Sequence, residues 1–121
     1  MTNIYNLLYQ LGLTANYTGF FYTACAMKLC VDCPERLRLV TKWLYPEVAK
    51  QYGTNWRAVE RNIRAAGTII WNKNRSLLEQ MAAGEQNLRP AQMLSILIIL
   101  LEYSPPTDRT GLFPENRAAY R

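Results

Sequence analysis

Three arginines in the middle of the chain, Arg57, Arg61 and Arg64, are spaced so that they share one narrow arc of a helix. The planar guanidinium of arginine can donate two hydrogen bonds to O6 and N7 of guanine, so such an arc could read base edges in DNA. A plain solvated face is the simpler interpretation, because Glu60 can pair with Arg64 or Arg57. The opposite side of this helix is apolar (Val59, Ile63, Ala66 and Ile70).

Positive charge is concentrated around these arginines. The chain has 121 residues with 14 Lys and Arg against nine Asp and Glu, which gives a net charge of +5. Residues 35–75 alone hold nine basic and three acidic side chains, so the whole positive excess lies in this segment. Such a distribution favours a polyanionic partner, and we expect double-stranded DNA.

Other kinds of site find little support in the sequence. Cys25, Cys30 and Cys33 include one Cys-x-x-Cys pair, but the chain has no histidine to complete a zinc site, so we expect idle or buried thiols. The carboxylates are scattered without pairing, and neither a Gly-rich phosphate loop nor a nucleophile motif is present. We therefore expect no enzyme activity, no metal, no cofactor and no small-molecule substrate.

The sequence predicts a cytoplasmic, nucleoid-associated protein. An odd number of closely spaced cysteines and the absence of basic residues from the first 15 positions fit a reducing compartment and no secretory leader. The longest apolar run, Ile96 to Leu101, is far shorter than the roughly 18 residues of a membrane span, so no membrane association is expected.

Hydrophobic periodicity predicts an all-α fold without strands. One helical domain is expected over residues 1–103, because the chain length suits a single core. Residues 104–121 contain three prolines and no periodic pattern, which predicts a flexible tail. Thr18, Gly53, Gly84 and either Thr54 or Asn55 are expected to cap helices. The predicted helices are 2–12, 18–33, 35–43, 46–52, 55–73, 76–83 and 90–103.

The spacing of Ala49, Gly53 and Val59 predicts a helix-turn-helix. Two closely crossing helices need a small residue at the contact, a residue that tolerates positive φ at the turn, and an apolar anchor on the second helix. The usual position of the next anchor is Asn62, whereas the apolar residue is Ile63, so a turn one residue longer than usual is expected. The second helix, about 55–73, would enter the major groove with its N-terminal end first.

Two sets of residues are assigned to DNA on this basis. Phosphate contacts would supply affinity and salt dependence, and base contacts would supply sequence choice. Glu60 could accept a hydrogen bond from cytosine N4 or hold an arginine in position. The base-reading set is Arg57, Glu60, Arg61 and Arg64, and the set at the sugar-phosphate backbone is Lys42, Lys50, Asn55, Trp56, Lys73 and Arg75.

Several stretches also resemble one known family. They are IYNLLYQLGLTANYTGFFY at 4–22, LVTKWLYPEVAKQY at 39–52, and VERNIRAA at 59–66 followed by Trp71. Across about residues 3–103 the chain resembles the C-terminal DNA-binding effector domain of stage zero sporulation protein A, the sporulation response regulator of endospore-forming bacteria.

This resemblance implies an all-helical domain of about six helices, in which the helix after Gly53 is the recognition helix. It also implies that Glu60, Arg61 and Arg64 lie at the DNA interface. The chain departs from the family where Arg57-Ala58 replaces the usual Ser-Arg, which moves one guanidinium about a quarter turn around the helix and would change the preferred site.

A second departure concerns control by phosphorylation. The family domain ordinarily follows a receiver domain, for which these 121 residues leave no room. The chain could be a free-standing regulator, a competitor for sporulation sites or a piece of a longer protein.

Two functions follow from the sequence. The first is a sequence-specific DNA-binding transcription regulator with α-helical fold and a major-groove helix. The second is a helical protein-interaction or dimerisation module that kept the fold but lost or altered DNA reading, for example as a competitor of a related regulator. The last helix, 90–103, is apolar on nearly every side, so it is either deeply buried or half of a homodimer interface.

Overall fold

The computed structural model describes residues 2–82 and 88–103, and all regular structure within them is helical. Six helices have seven residues or more, which confirms the predicted all-α class with about six helices. In chain order the elements are α1 (Thr2–Gln10), α2 (Thr18–Asp32), a 3-10 helix (Pro34–Arg38), α3 (Val40–Trp43), α4 (Tyr45–Tyr52), α5 (Trp56–Lys73), α6 (Arg75–Met81) and α7 (Pro90–Tyr103).

Two local predictions are wrong. Thr18 is not the cap of α2 but its first residue; the cap is Tyr17, whose side chain makes no capping hydrogen bond. The predicted helix over 35–43 is broken at Leu39, where φ is −151° and ψ is 75°, so a 3-10 helix and the one-turn α3 replace it. The predicted cap at Gly84 and the predicted tail over 104–121 lie outside the described residues.

Helix α2 is the central element of the core, as its broad apolar surface predicts. It contacts α1, α4, α5, α7 and the 3-10 helix. Phe20, Ala24 and Met27 on α2 are buried, whereas Val31, which the pattern places on the same face, is 44% exposed. Val31 lies in the last turn of α2.

Helix α2 approaches the backbone of α5 closely at Gly19. A methyl group added at Gly19 would overlap the backbone carbonyl oxygen of Asn62 and lie 2.9 Å from the Cβ atom of Ala66. Ala66 is itself buried. Because only a hydrogen atom fits at this position, α2 packs directly against the backbone of α5.

The C-terminal end of α5 is fastened to the end of α1. The Asn74 side-chain amide donates to the carbonyl oxygens of Leu11 at 2.7 Å and Ile70 at 2.9 Å. The Lys73 ammonium donates to the carbonyl oxygen of Gly12 at 3.0 Å, in a turn where Gly12 has a φ of 90°. The bonds to Leu11 and Gly12 tie the end of α5 to the turn that follows α1.

Helix α7 is buried along one face only. Ile99 is 46% exposed and Tyr103 is 67% exposed on the other side. No helix within residues 2–82 and 88–103 combines the length and apolar character that crossing a membrane requires. The buried side of α7 consists of Met93, Leu94, Ile96, Leu97 and Leu100.

Substitution of Gly19 tests the close approach of α2 and α5. Gly19→Ala should lower the free energy of unfolding by about 1–3 kcal/mol in urea titrations, because the backbone of α5 cannot move aside. Gly67→Ala is the control, since its new methyl group would lie an ordinary 3.6 Å from Met93 Cγ. The better helix propensity of alanine should stabilise that variant by up to about 1 kcal/mol. Equal stability of Gly19→Ala and the wild type would contradict the proposed contact.

Candidate nucleic-acid interface

A tight three-residue turn joins α4 to α5. Gly53 has a φ of 63° and a ψ of 37°, and its amide donates to the carbonyl oxygen of Ala49. The Thr54 amide donates to the same oxygen at 3.0 Å, which closes the left-handed cap that the sequence predicts at Gly53. Of the two predicted caps, Asn55 is the one used: its Oδ1 accepts from the Ala58 amide at 2.9 Å.

The packing of α4 on α5 has the layout of a helix-turn-helix. Ala49, Val59 and Ile63 are 5%, 0% and 3% exposed. Asn62 turns its side-chain amide back to the Ala58 carbonyl oxygen at 2.8 Å, so Ile63 takes the anchoring role. A turn of three residues is usual for this motif, so the expected extra residue in the turn is not observed.

The outer face of α5 presents the three arginines together. Arg57, Arg61 and Arg64 are all exposed, and Glu60 is partly buried beside them. The ion pair between Arg64 Nη2 and Glu60 Oε2 spans 3.8 Å, with the arginine side chain 62% exposed, so it contributes little to stability. The Arg57 guanidinium lies 5.3 Å from the ring centre of Trp56, which is a favourable cation–π geometry.

The residues assigned to the sugar-phosphate backbone occupy two separate regions. Lys50 is exposed in the last turn of α4, Asn55 caps α5 and Trp56 is its first residue, so these three lie near the N-terminal end of α5, where Arg57 begins the arginine face. Lys73 is about 24 Å farther along α5 than Arg57, at 1.5 Å per residue, and its ammonium is bound to the turn after α1.

The two remaining backbone candidates are exposed on neighbouring elements. Lys42 lies on α3, ahead of the helix-turn-helix. Arg75 begins α6 and shares the distal end of α5 with Lys73. The sequence assigned Lys73 and Arg75 to the DNA backbone from their positive charge alone. Charge does not show whether a side chain lies near the N-terminal or the C-terminal end of α5.

Comparison with known protein families agrees with this geometry. The family model described as sporulation initiation factor Spo0A C terminal matches residues 4–99. The chain belongs to this family. The match covers the helix-turn-helix, the core helix α2 and most of α7. The Spo0A C-terminal family is a DNA-binding regulatory domain of a sporulation transcription factor and is not an enzymatic family.

The structure adds two residues to the candidate site of this Spo0A C-terminal domain. Thr68 is exposed one turn beyond Arg64, and its hydroxyl donates to the Arg64 carbonyl oxygen at 3.2 Å. Extending the arginine spacing by one more helical turn in the sequence leads to Thr68. Tyr45, the first residue of α4, is fully buried, and its hydroxyl makes no hydrogen bond. Nothing in the sequence pattern singles it out.

The cysteines take part in packing. Cys25 and Cys30 are buried and Cys33 is partly buried, in line with the expected buried or idle thiols. Burial raises the pKa of Cys30 to about 11, so this thiol stays protonated at neutral pH and is a poor metal ligand. The Cys25 Sγ donates to Gln51 Oε1 at 3.4 Å, which links α2 to α4. In the described part of the chain, no three His, Cys, Asp or Glu side chains are grouped to hold a metal ion.

Asn55 has two functional groups that substitution can separate. Asn55→Ala removes the cap of α5 and should lower the free energy of unfolding by about 0.5–2 kcal/mol in urea titrations. Asn55→Asp keeps an oxygen acceptor at the N-terminus of the helix, so its stability should stay close to that of the wild type. Loss of equal size in both variants would show that the side-chain oxygen does not cap α5.

Proposed function

We propose that this domain is a sequence-specific, double-stranded DNA-binding regulator of transcription, with α5 inserted in the major groove. The observation that carries the proposal is the exposed arc of Arg57, Arg61 and Arg64 on the helix after a tight turn, inside the region matched by the Spo0A family. In a helix-turn-helix that helix presents its N-terminal residues to base edges.

Arg61 and Arg64 are the proposed readers of guanine. Within the described residues Arg61 has no ion pair and no side-chain hydrogen bond, so its guanidinium can bind a base without first leaving a partner. Arg64 leaves only a long, exposed ion pair with Glu60. A bidentate contact of arginine with O6 and N7 gives about 1–3 kcal/mol of discrimination against a wrong base.

Arg57 is proposed to read a different position from that of its counterpart in related domains. Its guanidinium lies against Trp56, at the start of α5. Ala58, where the family pattern carries an arginine, is partly buried on the flank of the helix. An arginine at position 57 therefore extends from a point about 100° away around the helix, and the preferred duplex should differ accordingly.

The proposed backbone contacts surround the N-terminal end of α5. The exposed Lys42 and Lys50 supply positive charge, the side-chain amide nitrogen of Asn55 remains available as a donor, and Trp56 can lie against sugar and phosphate. We assign Lys73 and Arg75 at most peripheral contacts, because they lie at the distal end of α5. Such contacts would make the affinity fall as salt rises.

Removal of one arginine provides the main test of this function. Arg61→Ala should weaken binding to the duplex that the wild type enriches from a random pool by about 1–3 kcal/mol and relax its sequence preference. Arg38→Ala, which removes an exposed arginine from the 3-10 helix, is the control for lost charge. The affinity of each variant for the duplex is measured by fluorescence anisotropy across a salt series. Unchanged affinity of Arg61→Ala for that duplex would refute the proposal.

The exposed side of α7 favours a second candidate function, pairing of two copies through residues 90–103. Ile99 and Tyr103 lie one turn apart on the same face of α7 and are 46% and 67% exposed. Exposed large apolar side chains on one helix face are suited to contact with the same face of a second copy. This pairing is compatible with DNA reading, since it uses a different helix from α5.

A charge placed on α7 tests this pairing. Ile99→Glu should shift a concentration-dependent dimer to monomer in sedimentation experiments, because a carboxylate would be buried without a partner. Tyr17→Glu is the control, as Tyr17 is 39% exposed and lies at the start of α2. If the wild type sediments as a monomer at every concentration tested, the homodimer proposal is wrong.

A further inference from the structure

The hydroxyl of Tyr45 is buried without a hydrogen-bond partner, which lowers the stability of the folded protein. Tyr45 is 0% exposed, and its hydroxyl oxygen has no hydrogen-bond partner. Burying a hydroxyl without a partner costs about 1–3 kcal/mol, whereas phenylalanine would fill the same space without that cost. An unsatisfied buried polar group of this kind calls for a physical explanation.

The surroundings of this hydroxyl point to Glu60. Burial raises the pKa of Tyr45 to about 12; the negative charge of Glu60 adds to this effect and the positive charge of Arg64 opposes it. The hydroxyl therefore lies within electrostatic reach of this ion pair. Glu60 is the more buried member, with 33% of its side chain exposed against 62% for Arg64. Its carboxylate therefore lies closer to the core than the Arg64 guanidinium, on the helix against which α4 and its first residue, Tyr45, pack.

We propose that Tyr45 is a positioning residue for Glu60, whose carboxylate accepts a hydrogen bond from the Tyr45 hydroxyl once Arg64 turns to DNA. This inference rests on the proposed function. It extends the assignment of base-reading residues to a side chain that never touches the nucleic acid.

The energetics favour such an exchange of partners. The pair between Arg64 and Glu60 is long and exposed, so Arg64 can leave it at little cost. The partly buried Glu60 charge would then lose its partner, which is unfavourable. The Tyr45 hydroxyl has already lost its water, so it can donate to a carboxylate without a further desolvation cost. Tyr45 thereby lowers the cost of releasing Arg64 and fixes the orientation of Glu60.

A folding experiment without DNA tests the exchange, with Arg64→Ala standing for the arginine taken by DNA. Tyr45→Phe in the wild type should leave the folding equilibrium constant unchanged or raise it, because the hydroxyl is unpaired. In the Arg64→Ala background the same change should lower that constant about 3-fold to 10-fold, the range expected for one lost hydrogen bond. Adding Glu60→Gln should weaken this effect by removing the charged acceptor. The same effect of Tyr45→Phe in wild-type and Arg64→Ala backgrounds would overturn the proposal.

A binding experiment tests the consequence for DNA. Tyr45→Phe should lower the affinity for the duplex enriched by the wild type about 3-fold to 10-fold and should have no such effect in a Glu60→Gln background. Unchanged affinity, or an equal loss in both backgrounds, would contradict a role through Glu60. A wild type that enriches no duplex would refute the proposed function and with it the role of Tyr45 on DNA. The folding experiment would still decide whether the two side chains are coupled.

Discussion

The position of α5 depends on one contact, the approach of Gly19 to the backbone at Asn62. Because no side chain separates α2 from α5 there, the distance between these helices is set by backbone atoms that cannot adjust. The left-handed turn at Gly53 fixes one end of α5, and the bonds of Asn74 to Leu11 and Ile70 fix the other. The arginines thus extend from a rigid support. Only their side chains need to become ordered when a partner binds, and this limits the entropic cost of recognition.

Glu60 connects the buried and exposed faces of α5. The core side chains leave no freedom for the helix to rotate, since Val59 and Ile63 are almost fully buried. Glu60 lies at the edge of this face, where it is paired with Arg64 and where its negative charge acts on the buried hydroxyl of Tyr45. In the proposed exchange this carboxylate alternates between Arg64 and the Tyr45 hydroxyl. The specificity of the proposed DNA contact therefore depends on the core as well as on the surface.

Local signals in the sequence predict much of this structure. The helical period locates the helices. Gly53 is predicted as a cap because it tolerates positive φ, and Thr54 or Asn55 is predicted as the next cap because both carry a side-chain acceptor. Contacts between distant parts of the chain carry no such signal. Nothing near Gly19 reveals that it meets Asn62, and the positive charge of Lys73 does not indicate that its ammonium binds the Gly12 carbonyl oxygen. The arginine face was accessible to sequence reasoning because it is periodic, whereas Tyr45 was not because its role depends on three-dimensional proximity.

The rigidity of α5 also constrains how this domain can differ from its relatives. An arginine at 57 in place of 58 could be compensated if the helix were able to turn by about 100° around its axis. Such a turn would expose Val59, Ile63 and Ala66, each of which is at most 3% exposed, and would break the contact at Gly19. The cost would exceed the value of a single base contact, because the burial of Val59 and of Ile63 contributes about 1.5–3 kcal/mol each. The helix therefore keeps its orientation. The arginine at position 57 would then contact a different point on the DNA, and the preferred DNA sequence must differ instead. If α5 reads DNA as proposed, the contacts of Arg61 and Arg64 follow the family pattern while that of Arg57 moves, so the preferred duplex should change at the position read by the first arginine.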